Sequence, residues 1–357
     1  MQLTQSRAGR LLPFLLIAAM LLLAFRADAV SAILRSRIDL CLTTLIPSLY
    51  GCMVLGNLLC TSGAGEALGR RLHSAAAHLR MPPAVFGIFL VSQFAGYPVG
   101  AALLRQAASD HALSESDAAR LSCICFGGGP AFLIGFAGRQ LFGSAAAGVC
   151  MMLACILANC ILAILLCPRP HKTDPLPERR IRISAQILTD SVSQAMKGLA
   201  QICAAVLLFG LIQHLPALLG ISAASRIPAV LPAHILRAVS AAMLDITQLT
   251  PVFRCGLPAI AVLPLAAALL SFGGVCVHLQ CLALGVRGMR PAQLLGTRLL
   301  AAALAALLTA AAVPLLPKLP EHAVSAFANR AAASESGSIL PAFLIFLTGF
   351  PFLLKKD

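Results

Sequence analysis

Apolar runs of about 20 residues, each long enough to cross a hydrocarbon layer as a helix, recur along almost the whole chain. They cover residues 11–30, 40–59, 85–104, 121–142, 145–166, 198–219, 235–253, 257–284 and 299–316, with a short last run at 339–354. Hydrophobic residues make up 59% and charged residues 11%, more apolar surface than a water-soluble core of this length needs. The excess faces lipid, so the expected fold class is an all-α integral membrane protein.

The net charge of +14 does not form a continuous basic patch, because Lys and Arg fall in short segments between the runs. This points to a membrane surface and away from nucleic acid. Thirteen cysteines sit largely inside apolar runs, with no Cys-x-x-Cys pair and no disulfide framework. Trp is absent and Tyr occurs only at Tyr50 and Tyr97, so Phe, Arg and Pro must mark the interfaces.

The first run follows Arg7 and Arg10 and ends in Ala27-Asp28-Ala29, which also fits a signal-peptide cleavage box; since spans follow at once, an uncleaved first helix is expected. Residues 65–80 and 114–120 mix charges with Ala and Leu at helical spacing, the second behind a Ser-x-x-Asp cap, and should lie along the interface. A basic hinge at 168–182 carries Arg169, Lys172, Arg179, Arg180 and Arg182 and marks the cytoplasmic side.

The two halves echo each other. Cys125-Phe126-Gly127-Gly128 corresponds to Ser271-Phe272-Gly273-Gly274 at a shift of 146 residues, and Ser92 before Gly96-Tyr97-Pro98 corresponds to Ser240 before Asp245 at a shift of 148. The expected organisation is an N-terminal transmembrane helix (1–35), a first repeat (36–167), the cytoplasmic hinge (168–182), a second repeat (183–316), then a loop and C-terminal transmembrane helix (317–357). Keeping both the hinge and the Arg7/Arg10 terminus cytoplasmic requires one of the five runs before Pro168 not to cross. Residues 85–104, broken at Gly96-Tyr97-Pro98-Val99-Gly100, are the candidate re-entrant hairpin, with 235–253 as its counterpart from the other face. The second repeat is then inverted, giving about eight spans and two hairpins. This topology puts 18 of the 27 Lys and Arg residues on the cytoplasmic side.

Broken helices leave backbone amides and carbonyls that hydrocarbon cannot satisfy, so breaks tend to line cavities. Four are visible: Gly96-Tyr97-Pro98 with Gly100, Gly127-Gly128-Gly129-Pro130, Asp245-Ile246-Thr247-Gln248, and Ser271-Phe272-Gly273-Gly274. Any single glycine here is better read as a close-packing or kink residue; four breaks at matching places in two repeats favour a shared solute site. Asp245 is the acidic residue set deepest in an apolar run, at a cost of at least about 2.5 kcal/mol if charged. It is a candidate to bind a cation, carry a coupling proton or accept from a hydroxylated ligand, against a structural bond to a backbone amide or to Arg237. His278 and Gln280, with Gln93 and Asn57 in the first repeat, suit a polar, uncharged solute, although each alone is more often a helix–helix hydrogen bond.

Gln93-Phe94-Ala95-Gly96-Tyr97-Pro98-Val99-Gly100-Ala101, Phe126-Gly127-Gly128-Gly129-Pro130, and the run from Ser271-Phe272-Gly273-Gly274 to His278-Leu279-Gln280 resemble the YlbJ-type sporulation integral membrane proteins, which carry the nucleoside recognition or Gate domain. The likeness covers roughly residues 40–316. It implies a gate-type inverted-repeat fold related to nucleoside transporters, in a bacterial cytoplasmic membrane protein that serves spore formation. Asp245 stands where the resemblance would place Glu, and three glycines at 127–129 replace a stretch with Ser or Thr. The expected function is a transporter or gated pore for a small polar, nucleoside-like solute, with a coupling cation, Na+ or H+, and no other cofactor or metal. The alternative is a non-transporting assembly factor that binds a membrane-protein partner or a second copy. No nucleophile with a base and no paired acids occur at helical spacing, so no enzyme is expected.

Overall fold

The computed structural model describes residues 7–109, 113–167, 181–219 and 232–316. Most of the basic hinge and the expected last span at 339–354 lie outside them. Among the described residues every regular element is helical. In chain order these are α1 (Arg7–Phe25), α2 (Ala27–Leu40), α3 (Ile46–Thr61), α4 (Ala64–Arg71), α5 (His73–His78), α6 (Pro83–Ala95), α7 (Tyr97–Ser109), α8 (Glu115–Ser122), α9 (Ala145–Leu166), α10 (Ala185–Leu218), α11 (Ala233–Leu244), α12 (Thr250–Phe253), α13 (Ala259–Phe272), α14 (Gly274–Leu284) and α15 (Pro291–Ala312). A wide π-type turn, Cys41–Leu45, joins α2 to α3, and a wide helix, Ala131–Leu141, precedes α9.

The protein is an all-α integral membrane protein. Four described helical stretches are long and apolar enough to cross a bilayer alone: Ala145–Leu166, Ala185–Leu218, Ala259–Leu284 and Pro291–Leu315. The first expected span is not one straight rod, for the chain bends by 88° between Pro13–Phe25 and Ala27–Leu45. The bend falls at Arg26, whose backbone (φ −110°, ψ 28°) leaves the helix where Arg26 and Asp28 interrupt the apolar run. The two runs expected as hairpins do break, leaving the shorter apolar helices Val85–Ala95 and His234–Leu244, whereas the run at 40–59, expected as an unbroken span, also yields only the short helix Leu49–Thr61.

Local sequence sets these boundaries. Ser144 and Ser184 accept hydrogen bonds from the Ala147 and Ile187 amides at 3.2 Å, starting α9 and α10, so α10 begins 13 residues before its apolar run. Ser114 accepts from the Asp117 amide at 3.1 Å and donates to its carboxylate at 2.6 Å, capping the short α8 as its Ser-x-x-Asp pattern requires. Pro291 at the first turn starts α15 upstream of the hydropathy edge at residue 299.

The helix bounds keep the spacing of the sequence echo. Helices α9 and α15 are both 22 residues long and begin 146 positions apart, the spacing that also separates Phe126 from Phe272. Helices α6 and α11, of 13 and 12 residues, end at the breaks Gly96 and Asp245. The two halves pack into each other: α9 lies against α13 and α15, α3 against α10, and α7 against α14. One apolar core therefore takes Val91, Tyr97, Phe126 and Phe132 from the first half together with Leu249, Leu270, Val277 and Cys281 from the second. The breaks sit inside it.

Candidate functional site

Gly96 ends α6 with φ 102° and ψ 158°, a conformation that favours glycine, and the chain turns directly into α7. The two arms fold close, since a Cβ placed on Gly100 would stand 2.8 Å from the Ser92 Cβ and would collide with the Cys125 carbonyl. The second break packs on the first: a Cβ on Gly127 would lie 2.8 Å from the Gln93 Cα, and one on Gly129 would lie 2.8 Å from the Phe94 carbonyl. Pro130 then leads into the wide helix.

The third break is made by Asp245, which leaves the helix in extended conformation (φ −140°, ψ 111°) and caps the short turn Ile246–Leu249 with its own side chain. One carboxylate oxygen accepts from the Thr247 amide at 3.0 Å and the other from the Thr247 hydroxyl at 2.8 Å. At 1% exposure the carboxylate is out of water, yet no cationic group among the described residues reaches it within 4.0 Å. Of the two structural bonds weighed for it, the one to a backbone amide forms and the one to Arg237 does not; the cation that acts on it electrostatically is Arg37. Gly210 of α10 makes room for that side chain, as a Cβ there would stand 2.8 Å from the Arg37 Cγ.

The fourth break joins the other three. Gly273 has φ 84°, and a Cβ on it would lie 2.5 Å from the Phe126 ring; one on Gly274 would meet the Ile246 amide at 3.0 Å. The Tyr97 hydroxyl donates to the Leu270 carbonyl at 2.8 Å, a carbonyl near the interrupted end of α13. All four interruptions thus touch in pairs, and a cavity opens beside the first three. It is lined by Gly96, Tyr97, Pro98, Gly128, Asp245, Thr247 and Gln280, with apolar walls that include Leu45, Leu49, Phe132, Ile202 and Val206. Its empty space is about 450 Å³ counted to the open mouth, while the centre of a water molecule can range over only about 40 Å³. That is room for a few waters and too little for a nucleoside.

Other residues singled out by sequence fall beside the cavity. Gly100, Gly127, Gly129, Gly273 and Gly274 serve close backbone approach, the packing role expected of any one of them alone. Gln248 helps close the turn, its amide bonding the Asp245 carbonyl at 2.9 Å. His278 is buried, bonded to the Phe272 carbonyl at 2.9 Å and edge-on to the Phe272 ring. Phe94 is half exposed at 49% and does not join the aromatic cluster of Tyr97, Phe126 and Phe132.

Sequence reasoning missed a polar network behind Phe126. Arg298, counted from hydropathy as a cytoplasmic loop charge, is 0% exposed in α15. Its guanidinium lies 4.6 Å from the centre of the Phe126 ring, donates to Asn159 Oδ1 at 2.9 Å and reaches the Ser271 carbonyl at 3.4 Å. The Asn159 amide donates in turn to Gln93 Oε1 at 3.0 Å and to the Phe126 carbonyl at 2.8 Å. Gln93, weighed for a solute against a helix–helix hydrogen bond, makes the helix–helix bond, and the Ser271 carbonyl is occupied by Arg298. The available signal was Pro291: counting helix from its usual first-turn position places Arg298 two turns inside.

Among the described residues no three His, Cys, Asp or Glu side chains gather into a metal-binding group. The cavity surface is almost wholly apolar, and the polar side chains that border it are occupied locally, the Asp245 carboxylate by Thr247 and the Gln280 amide by the Cys276 sulfur. Comparison with protein-family models, curated protein sequences and solved structures gave no match to this chain.

Proposed function

We propose that this chain is a transporter or gated pore for a small polar solute, built from two oppositely oriented repeats. The observation that carries the reading is that three of the four backbone interruptions, two from the first half and one from the second, line one cavity, with the fourth packed against them. Irregular backbone at membrane depth is tolerated where protein or a water-lined space satisfies it, and paired interruptions at a repeat interface are where transporters bind solute. Asp245 supplies the ligand- or cation-binding carboxylate, with Na+ or H+ as the coupling ion. A nucleoside-sized solute requires the two hairpins to part from their present position. The resemblance of the break motifs to sporulation membrane proteins supports a place in the bacterial cytoplasmic membrane during spore formation.

The test is uptake into proteoliposomes across a panel of small polar solutes. Asp245→Asn keeps an oxygen for the Thr247 amide and is expected to leave insertion and folding intact while lowering uptake more than tenfold. Unchanged uptake would remove Asp245 from the mechanism.

The narrowness of the cavity favours a second reading, in which the same fold binds a membrane partner in spore envelope assembly and moves nothing. Purification of the chain with a stoichiometric partner, and no flux of any solute in the panel, would select it.

A further inference from the structure

A guanidinium sealed inside an apolar helix is costly, at least about 2.5 kcal/mol even by the mildest scale, and proteins normally repay it with a carboxylate. Arg298 has none: among the described residues no carboxylate oxygen lies within 4.0 Å of it. Of its five N–H donors, two find oxygen acceptors, Asn159 Oδ1 and the Ser271 carbonyl, and the buried Nε has no partner. The Phe126 ring covers one face of the ion.

Directly after Phe126 come Gly127, Gly128 and Gly129, whose amides donate no backbone hydrogen bond among the described residues. They lead into the N-terminal end of the 11-residue wide helix Ala131–Leu141. Gly128 is already a cavity wall. Tyr97, another wall, packs on Phe126 at 5.0 Å between ring centres, so the rings of Tyr97 and Phe126 separate the cavity from the guanidinium. A fixed positive charge, unspent amides and a helix start combine the chemistry that binds small oxyanions.

We propose that Arg298 and the Gly127–Gly129 amides form an anion receptor, reached when the Tyr97 and Phe126 rings move aside, and that the solute carries a carboxylate or phosphate group. The inference rests on the transport reading for the word solute and replaces the uncharged solute expected from sequence with an anionic one as the proposal to be tested. It places opposite charges on the two sides of the cavity: Arg298 with the first-repeat break, and Asp245 in the second.

The test uses the full chain purified in a neutral detergent, with unfolding followed by a thiol-reactive fluorophore that reads its many buried cysteines. Sodium phosphate and sodium acetate are titrated against sodium chloride at equal ionic strength. Saturable stabilisation by phosphate or acetate is expected in the wild type, at least tenfold weaker in apparent affinity for Arg298→Lys and lost in Arg298→Met. Lysine keeps the charge but not the planar fork, so it decides the matter if the methionine variant does not fold. No saturable shift, or one equally strong in Arg298→Lys, overturns the receptor. A shift produced by phosphatidylglycerol and by no soluble anion overturns the solute assignment, since the anion would then be a lipid headgroup. Anion binding without flux would fail the transport reading alone, and flux of an uncharged solute without anion binding would fail this inference alone.

Discussion

The Tyr97 hydroxyl donates to the carbonyl oxygen of Leu270 at 2.8 Å, across 173 residues of chain, and so fastens the first break to the fourth. Leu270 lies three residues before Gly273, where α13 stops and its last carbonyls lose their helical partners. A tyrosine at the start of α7 takes over one of those missing bonds. Tyr97→Phe keeps the ring on Phe126 but leaves a buried carbonyl unpaired, a loss of about 1–3 kcal/mol. Thermal unfolding in detergent should show a clear drop in Tm; an unchanged Tm would mean that another donor replaces the phenol.

Three glycines offer a graded test of what the breaks require. Gly135 is helical with open space around it, so Gly135→Ala should be neutral or slightly stabilising. Gly256 has φ 78° with nothing within 4 Å, so alanine there meets only the left-handed penalty of about 1–2 kcal/mol. Gly273 combines φ 84° with the Phe126 ring 2.5 Å from a would-be Cβ, so Gly273→Ala should cost more than Gly256→Ala and also lower uptake. Equal Tm values for the last two variants would show that Phe126 moves aside freely.

The places where the chain breaks were legible because glycine, proline and an isolated aspartate inside an apolar run have few structural uses. The offset between two long helices was legible too, since α9 and α15 begin 146 residues apart, as Phe126 and Phe272 lie. Asp245 and a bond to a backbone amide could be found but the nearby cation could not: the Thr247 amide bonds it locally, while Arg37 arrives on a helix that looked extramembrane by charge. Arg298 was misplaced for a related reason. A hydropathy window ends at the first cation, whereas a helix ends where its caps dictate, and a buried cation erases the edge on which the window depends. The packing of Arg298, Asn159 and Gln93 joins three distant helices, and no periodicity in any one of them encodes that meeting.

Cys276 lines the cavity, whereas Cys281, five residues later on α14, is 0% exposed and does not. Against a background with the other cysteines replaced, a small charged methanethiosulfonate should label Cys276 in proteoliposomes and leave Cys281 unlabelled. Solutes that fill the cavity should slow the first reaction. Equal labelling of the two would place water along the whole of α14 and deny the cavity a boundary.

Asn159 is the hinge pin of the hidden network, accepting from Arg298 while donating to Gln93 and to the Phe126 carbonyl. Asn159→Leu removes all three bonds and leaves the guanidinium with the weaker Ser271 contact, so SDS-titration unfolding should show a loss of about 3 kcal/mol, near the upper range for bonds to charged groups. Arg298→Met removes the expensive charge together with its bonds and still leaves Asn159 its two acceptors. Because the singles share one interaction, the double variant should be less destabilised than their sum by about 1–3 kcal/mol. Strict additivity would show that the two side chains act separately, and the break at Phe126 would then owe its position to ring packing alone.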